Sequence, residues 1–309
     1  MKLSIVTTLY NSERYIKEFH ERSSKAAQAL AGDDYEIVIV NDGSPDDSLA
    51  HAVALADQDA HVIVIDLSRN FGHHKAMMTG LDHARGDLVF LIDSDLEEQP
   101  EWLDAFHSKL ESGGHDVVFG VQDNRKGGWF ERRSGSAFYR IFNAVSDVPL
   151  PADIVTTRLM RRDYVRALVE HREREMIISG LWAMTGFDQQ PHTVKKASGS
   201  KTTYTLRRKI VLAINAITSF SNTPLIMIFY FGLTISVLAS IYIAFLVFNW
   251  AFLARPLSGW TSLMGSIWLL GGLIISFIGV IGIYLAKIFT ETKQRPYTIV
   301  RQIHGQRKE

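Results

Sequence analysis

Residues 88–95 read Leu-Val-Phe-Leu-Ile-Asp-Ser-Asp, a short apolar run that ends on two carboxylates flanking one serine. A run of this length, rich in branched and aromatic side chains, is the pattern of a buried strand. The same pattern recurs on both sides of it. Leu3–Leu9 is apolar and β-branched and stops at Tyr10-Asn11; Tyr35–Val40 stops in Asn41-Asp42-Gly43-Ser44-Pro45; Val62–Ile65 and Asp116–Val121 are further strand candidates. Helical spacing fills the gaps: Ile16, Phe19, Ala26 and Leu30 behind an Asn11/Ser12 cap, then Leu49–Ala56, Lys75–Ala84 and Trp102–Leu110. Strand and helix in alternation call for an α/β fold, a mostly parallel sheet with helices on both faces. Ligands of such sheets bind beyond the carboxyl ends of the strands. Tyr10-Asn11, Asn41-Asp42-Gly43 and Asp93-Ser94-Asp95 all fall there, so one crevice collects all three.

Two carboxylates placed like Asp93 and Asp95 suit a hard divalent ion, Mg²⁺ or Mn²⁺, that also grips a diphosphate. Asp42 has two roles open to it: accepting from a base or ribose hydroxyl, or shaping the turn beside Gly43. No Gly-x-Gly-x-x-Gly follows the first strand, and there is neither a Gly-Lys-Ser/Thr loop nor a Gly-x-Ser-x-Gly elbow. Dinucleotide oxidoreductase, NTPase and serine hydrolase readings lose support accordingly. His73 and His74 are neighbours on one predicted helix and point apart, so they are expected to be exposed or loosely bonded. Met77, Met78 and Trp102 are expected in the core.

The second part of the chain obeys other rules. No Asp, Glu, Lys or Arg occurs from Ile210 through Ala254, nor again between Arg255 and Lys287. A span needs about 20 apolar residues, and Pro224–Trp250 and Leu263–Phe289 each supply more. Trp250, Trp260 and Trp268 gather near the linker, where interfacial aromatics collect. Residues 206–222 carry Arg207, Arg208 and Lys209 beside an apolar face and predict an amphipathic helix at the membrane surface. Bases flank the pair of spans on the outside while the linker holds only Arg255, so both termini are expected in the cytoplasm. The N-terminus is not a signal peptide, since Glu13 and Arg14 interrupt its short apolar run. Thirty-three bases balance thirty-three acids, which argues against a nucleic-acid partner. The absence of cysteine excludes a disulfide scaffold or thiolate metal site. Residues 153–190 show mixed signals that periodicity does not order.

Taken in sequence, Leu9-Tyr10-Asn11-Ser12-Glu13, Asn41-Asp42-Gly43-Ser44-Pro45-Asp46, Asn70-Phe71-Gly72, Gly86-Asp87 and Asp93-Ser94-Asp95-Leu96 resemble family 2 glycosyltransferases of the GT-A fold. Gly279-Val280-Ile281-Gly282-Ile283-Tyr284-Leu285 and Arg295-Pro296-Tyr297 are similar to the polyprenyl-phosphate branch of that family, with its bactoprenol glucosyltransferases and dolichol-phosphate mannose synthases. The resemblance covers nearly the whole chain. It implies a catalytic domain over 1–205, a juxtamembrane helix over 206–222, two transmembrane helices over 223–290 and a basic tail over 291–309. The implied location is the cytoplasmic (inner) membrane. Non-processive, inverting transfer from a nucleotide sugar, UDP-linked by family weight, to an undecaprenyl-type phosphate is the implied activity.

The roles implied are donor binding by Tyr10, Asn11, Glu13, Asp42 and Asp93, and metal binding by Asp95 and Glu97. Glu97 stands where the branch usually has Gln. Thr156 of Thr156-Thr157-Arg158-Leu159 stands where it usually has Asp, which removes a candidate catalytic carboxylate. Arg132 and Ser136, four residues apart, would share a helix face. With Arg125, Lys126 and Arg133 they form an acceptor-phosphate clamp on the resemblance, or a solvated basic surface without it. A processive synthase would need a Gln-x-x-Arg-Trp motif that the chain lacks; a silent scaffold is the other alternative. A flippase, a later transferase and a second copy of the chain stay open as partners.

Overall fold

A computed structural model describes residues 1–122, 153–174, 178–196, 218, 221–253 and 259–305. Among them, eight strands form one sheet: β1 (Leu3–Leu9), β2 (Tyr35–Asn41), β3 (Val62–Leu67), β4 (Leu88–Leu91), β5 (Val117–Gln122), β6 (Ile154–Arg161), β7 (Gln189–Val194) and β8 (Val300–His304). Their spatial order is β7-β5-β6-β4-β1-β2-β3-β8. β1 pairs in parallel with β2 and β4, β2 with β3, and β5 with β7; only β6 and β8 run against the rest. The predicted α/β fold with a mostly parallel sheet is the fold observed.

Helices α1 (Ile16–Ala31), α2 (Ser48–Gln58), α3 (His73–His83) and α4 (Trp102–Gly113) connect the first five strands; α5 (Arg162–Val169) and α6 (Ile178–Met184) follow β6. Successive residues of a strand point to opposite faces, and the central strands are apolar on both. Leu3, Ile5, Ile37 and Phe90 join Phe19 and Phe106 in one core, while Val6, Val38, Ile65 and Leu91 join Met77 and Met78 in the other. Trp102 packs half-buried against the first. Phe90 and Phe106 meet edge to face, with centroids 6.1 Å apart.

The expected cap of α1 differs. The N-cap position is Tyr15, with no side-chain cap bond. Asn11 has φ 54° and Ser12 is engaged elsewhere, because the loop after β1 is held by loops from other strands. The buried stripe of α1 is Ile16, Phe19, Ser23 and Ala27, with Ala26 and Leu30 only half-buried at its margin.

Two compact units make up the chain, the sheet domain and a unit within residues 206–294, with residues from Arg295 onward back in the first. The second unit contains α7 (Thr223–Leu253) and α8 (Trp260–Thr292), both long and apolar enough to cross a membrane. Their apolar side chains are exposed: Phe229 keeps 65% of its surface and Trp268 77%. Phe231 meets Phe277 edge to face, and the Tyr284 hydroxyl donates to the Ser221 carbonyl at 2.8 Å. The juxtamembrane helix expected over 206–222 falls almost entirely outside the described residues. The segment that reads in sequence only as a basic tail supplies the edge strand β8.

Candidate active site

The loops at the carboxyl ends of β1, β2, β3 and β4 are stitched into one surface. The Asn11 N–H donates to Ser44 Oγ at 2.8 Å, the Ser12 N–H to Ser48 Oγ at 3.0 Å and the Glu13 N–H to Asp46 Oδ2 at 3.2 Å. Ser94 Oγ donates to the Thr8 carbonyl at 2.9 Å and reaches Ser12 Oγ at 3.2 Å. Asp46 is half-buried; burial works against ionisation, but the Ser44 and Ser48 hydroxyls and two backbone N–H groups hold it down to about 2.

Asp42 holds the third loop to the second. Its Oδ1 accepts from the Phe71 N–H at 2.7 Å and its Oδ2 from the Gly72 N–H at 3.0 Å. Burial pushes its carboxyl up, against those two donors. The turn-shaping role is therefore filled by these two bonds. Gly43 is required for this approach. It has φ 61°, and a Cβ there would lie 2.4 Å from the Asn70 nitrogen.

Beyond β4 the residues are mostly charged. His73 Nδ1 lies 3.0 Å from Thr8 Oγ1, and its Nε2 lies 3.3 Å from Asp93 Oδ1. Burial opposes both charges, but the pair outweighs it: His73 is raised and Asp93 lowered. Asp95 Oδ1 accepts the Glu97 N–H at 3.0 Å. Burial, with the charges of Asp93 and Glu97 added, raises the Asp95 carboxyl. Leu96 sits at φ 60°, a left-handed conformation that costs a branched residue about 1–2 kcal/mol. Such strain persists only where surroundings enforce it, and it clusters at functional sites.

Glu98 is fully buried. Its Oε1 accepts the Thr156 N–H at 3.2 Å and faces Lys196 Nζ at 2.7 Å; its Oε2 accepts the Thr157 N–H at 2.8 Å and the Thr157 hydroxyl. β4 pairs with β6 only as far as Arg158, so this carboxylate takes over where the ladder ends. The Thr156 side chain in turn helps to hold Asp93 ionised. Burial would lower Lys196, but Glu98, Asp93 and Asp95 hold it charged and raise it. Arg158 lies in the core under the Trp182 ring, 3.0 Å from its centroid, and burial lowers it to about 9.

Tyr10, Asn11, Glu13, Asp42, Asp93, Asp95 and Glu97 therefore share one edge of the sheet. Arg125, Lys126, Arg132, Arg133 and Ser136 lie outside the described residues. Sequence reasoning misses His73, Glu98 and Lys196. His73, expected to be exposed or loosely bonded, is half exposed, but its ring bridges Thr8 and Asp93.

The donor set fits a hard cation. Asp93 Oδ1 is buried with no well-aligned hydrogen bond, and Asp95 and Glu97 add carboxylates in the same loop. Among the described residues, no three metal-binding side chains converge closely enough to hold an ion alone.

The profile of glycosyl transferase family 2 matches residues 4–169, more than half of the chain and every loop described above. The chain belongs to this family. Relatives extend the match to the whole transferase. It is 53% identical to a protein named "Putative glycosyltransferases" from Mycobacterium tuberculosis (strain CDC 1551 / Oshkosh), over 99% of this chain and 89% of the other. It is 32% identical to the prophage bactoprenol glucosyl transferase homolog of Escherichia coli (strain K12), over 98% and 99%. The SfII prophage-derived bactoprenol glucosyl transferase of Shigella flexneri is 31% identical to the transferase, over 98% and 99%. These matches run through both apolar helices and into β8.

Proposed function

We propose that the transferase moves a sugar from a nucleotide diphosphate sugar, UDP-linked, to a polyprenyl phosphate at the cytoplasmic face of a membrane. One observation carries this reading: the match to bactoprenol glucosyl transferases takes in the exposed apolar helices as well as the carboxylate-rich loops. Residues 1–205 would form the catalytic domain, 206–222 the juxtamembrane helix and 223–290 the two spans. Residues from Arg295 return to the sheet domain, so the helices would make an even number of crossings, with both termini on the catalytic side. Reporter fusions after Glu309 should behave as cytoplasmic and those near Ser258 as external; the reverse pattern would remove the site from its nucleotide sugars.

The chemistry suits the residues present. A sugar hydroxyl would need a general base, whereas a phosphomonoester carries a second pKa of about 6 and is largely dianionic at neutral pH. Its oxygen can attack the anomeric carbon directly. A bond forms between that oxygen and the carbon, the bond to the diphosphate breaks with inversion, and the nucleoside diphosphate leaves with the electron pair. No proton needs removal, which accounts for Thr156 in place of an Asp. Asp42 and the loops from Tyr10 to Glu13 would hold the nucleoside, and Asp93 its ribose or diphosphate. Mg²⁺ or Mn²⁺ bound by Asp95 and Glu97 would supply counter-charge to the departing diphosphate. Lys196, paired with Glu98, adds a positive charge felt by Asp93 and Asp95.

Mass spectrometry of lipid extracts after incubation with undecaprenyl phosphate and a panel of nucleotide sugars tests the proposal. A polyprenyl-phosphate sugar from one donor is expected. Donor hydrolysis with no lipid product, or no reaction with any donor, would overturn it.

Arg132 and Ser136 are the proposed acceptor clamp. Arg132→Ala should lose charge-assisted hydrogen bonds of roughly 1.5–3 kcal/mol, about a tenfold to hundredfold loss in acceptor use. Arg132→Lys should recover only part, since an ammonium lacks the bidentate fork. Nucleotide affinity by calorimetry should change little. Equal losses for donor and acceptor would place Arg132 elsewhere.

A further inference from the structure

The Arg295-Pro296-Tyr297 motif and the strand after it take no part in the chemistry above, yet they are built firmly into the sheet. Tyr297 and Val300 pack on the Met77–Met78 core. Thr298 Oγ1 lies 2.8 Å from Thr79 Oγ1, and the Ser68 N–H donates to the Ile299 carbonyl at 2.9 Å. β8 then pairs antiparallel with β3, the edge of the parallel sheet. The register is Leu67↔Val300 and Asp66↔Gln302, which leaves Arg301 as the extra residue of a bulge. A bulge re-aims the side chain it carries.

Arg301 is aimed at the carboxyl end of β3. Its Nη1 reaches Asp66 Oδ2 at 3.2 Å and its Nη2 donates to the Ser68 carbonyl at 2.7 Å. Asp66 is buried, and its other oxygen accepts Asn41 Nδ2 at 2.8 Å. Asn41 Oδ1 accepts the Ser44 N–H at 3.2 Å, and Ser44 Oγ receives the Asn11 N–H. A relay thus runs from β8 through Asp66 and Asn41 into the loops after β2 and β1. The contact with Ser68 holds the root of a further loop, whose Phe71 and Gly72 amides bind Asp42.

We propose that Arg301 is a positioning residue for the donor site. Strand β8, threaded back from the second apolar helix, sets the loops at Asn41–Ser44 and Ser68–Gly72 in the geometry that receives the nucleotide. The proposal rests on the reading of these loops as the nucleotide site. Removing Arg301 leaves the buried Asp66 carboxyl with one hydrogen-bond partner fewer, so the relay loosens at its centre.

The test uses the full-length transferase in detergent micelles, with UDP and Mn²⁺ as the probe. Calorimetry reads UDP affinity, hydrogen exchange reads the amides of 41–44 and 68–72, and initial rates separate donor KM from kcat. Arg301→Ala should weaken UDP about tenfold, the scale of one charge-assisted hydrogen bond. It should also speed exchange at both loops, raise donor KM in step and leave kcat at saturating donor nearly unchanged. Arg301→Lys should recover part of the affinity, and Gln302→Ala, on the same strand, should behave as wild type. If UDP protects these amides in the wild type but Arg301→Ala alters neither exchange nor affinity, the positioning role is overturned while the donor site stands. If UDP gives the wild-type amides no protection, the donor-site reading falls first and takes the inference with it.

Discussion

Asp95→Ala is expected to abolish sugar transfer, by about a thousandfold or more, while leaving the protein as stable as the wild type. The two halves of this expectation have one cause. Asp95 sits half-buried beside Asp93 and Glu97, and burial together with those like charges raises its carboxyl. A raised carboxyl favours the fold only while it is protonated. That contribution is lost as pH rises through its raised value, so at neutral pH the ionised group is a strain rather than a support. Relief of the like charges therefore offsets the lost hydrogen bond from the Glu97 N–H, and the fold changes little. It costs the reaction the carboxylate proposed to hold a divalent ion against the leaving diphosphate, worth several kcal/mol of transition-state stabilisation. Asp93→Ala should impair transfer severely as well, since its carboxylate lies in the same loop and its charge is felt at Asp95. Radiolabel transfer to lipid phosphate, with thermal melting alongside, measures both halves. Full turnover by Asp95→Ala, or by the wild type in excess chelator, would remove the metal from the proposal.

The parallel half of the sheet is legible in the sequence because each strand is a closed apolar run punctuated by Asn, Asp or Gly at its carboxyl end. The same punctuation is enough to put Asp42, Asp93 and Asp95 on one edge. β6 resists such reading because Thr156, Thr157 and Arg158 break its pattern: Thr157 answers to Glu98 and Arg158 to the Trp182 ring. β7 carries Gln189, Gln190 and Pro191 and looks like a loop, while β8 is short and polar at an edge, as edge strands often are. The missed site residues share a different reason. His73 takes its meaning from Thr8 and Asp93, and Glu98 from Lys196 and β6. Periodicity reports which face of its own element a side chain occupies. It is silent about partners brought from distant segments, and the charged part of this site consists of such pairs.

The largest effect on stability is expected at Glu98. Its carboxylate is the acceptor for four donors at once, two backbone N–H groups, the Thr157 hydroxyl and Lys196, and it is fully buried. Removing one partner of a buried ion pair typically costs about 3–5 kcal/mol, because the other charge is left without compensation. Lys196 keeps 23% of its side-chain surface and can turn partly to water, which places Glu98→Ala toward the low end, about 3 kcal/mol. For a domain of this size that is a fall in melting temperature of roughly 6–12 °C. Glu98→Gln is the sharper probe. The amide has nearly the same shape, but its NH₂ would confront donors where the second carboxylate oxygen accepted them. It should therefore cost nearly as much as alanine. Transfer should fall in both variants beyond what stability explains, since Thr156 helps to hold Asp93 ionised and moves with the end of β6 that Glu98 pins. Melting curves and initial rates below the transition separate the two effects. A Glu98→Gln protein as stable as the wild type would show that the buried group is a neutral acid, and would remove Glu98 as the anchor that fixes β6 against the carboxylates of the site.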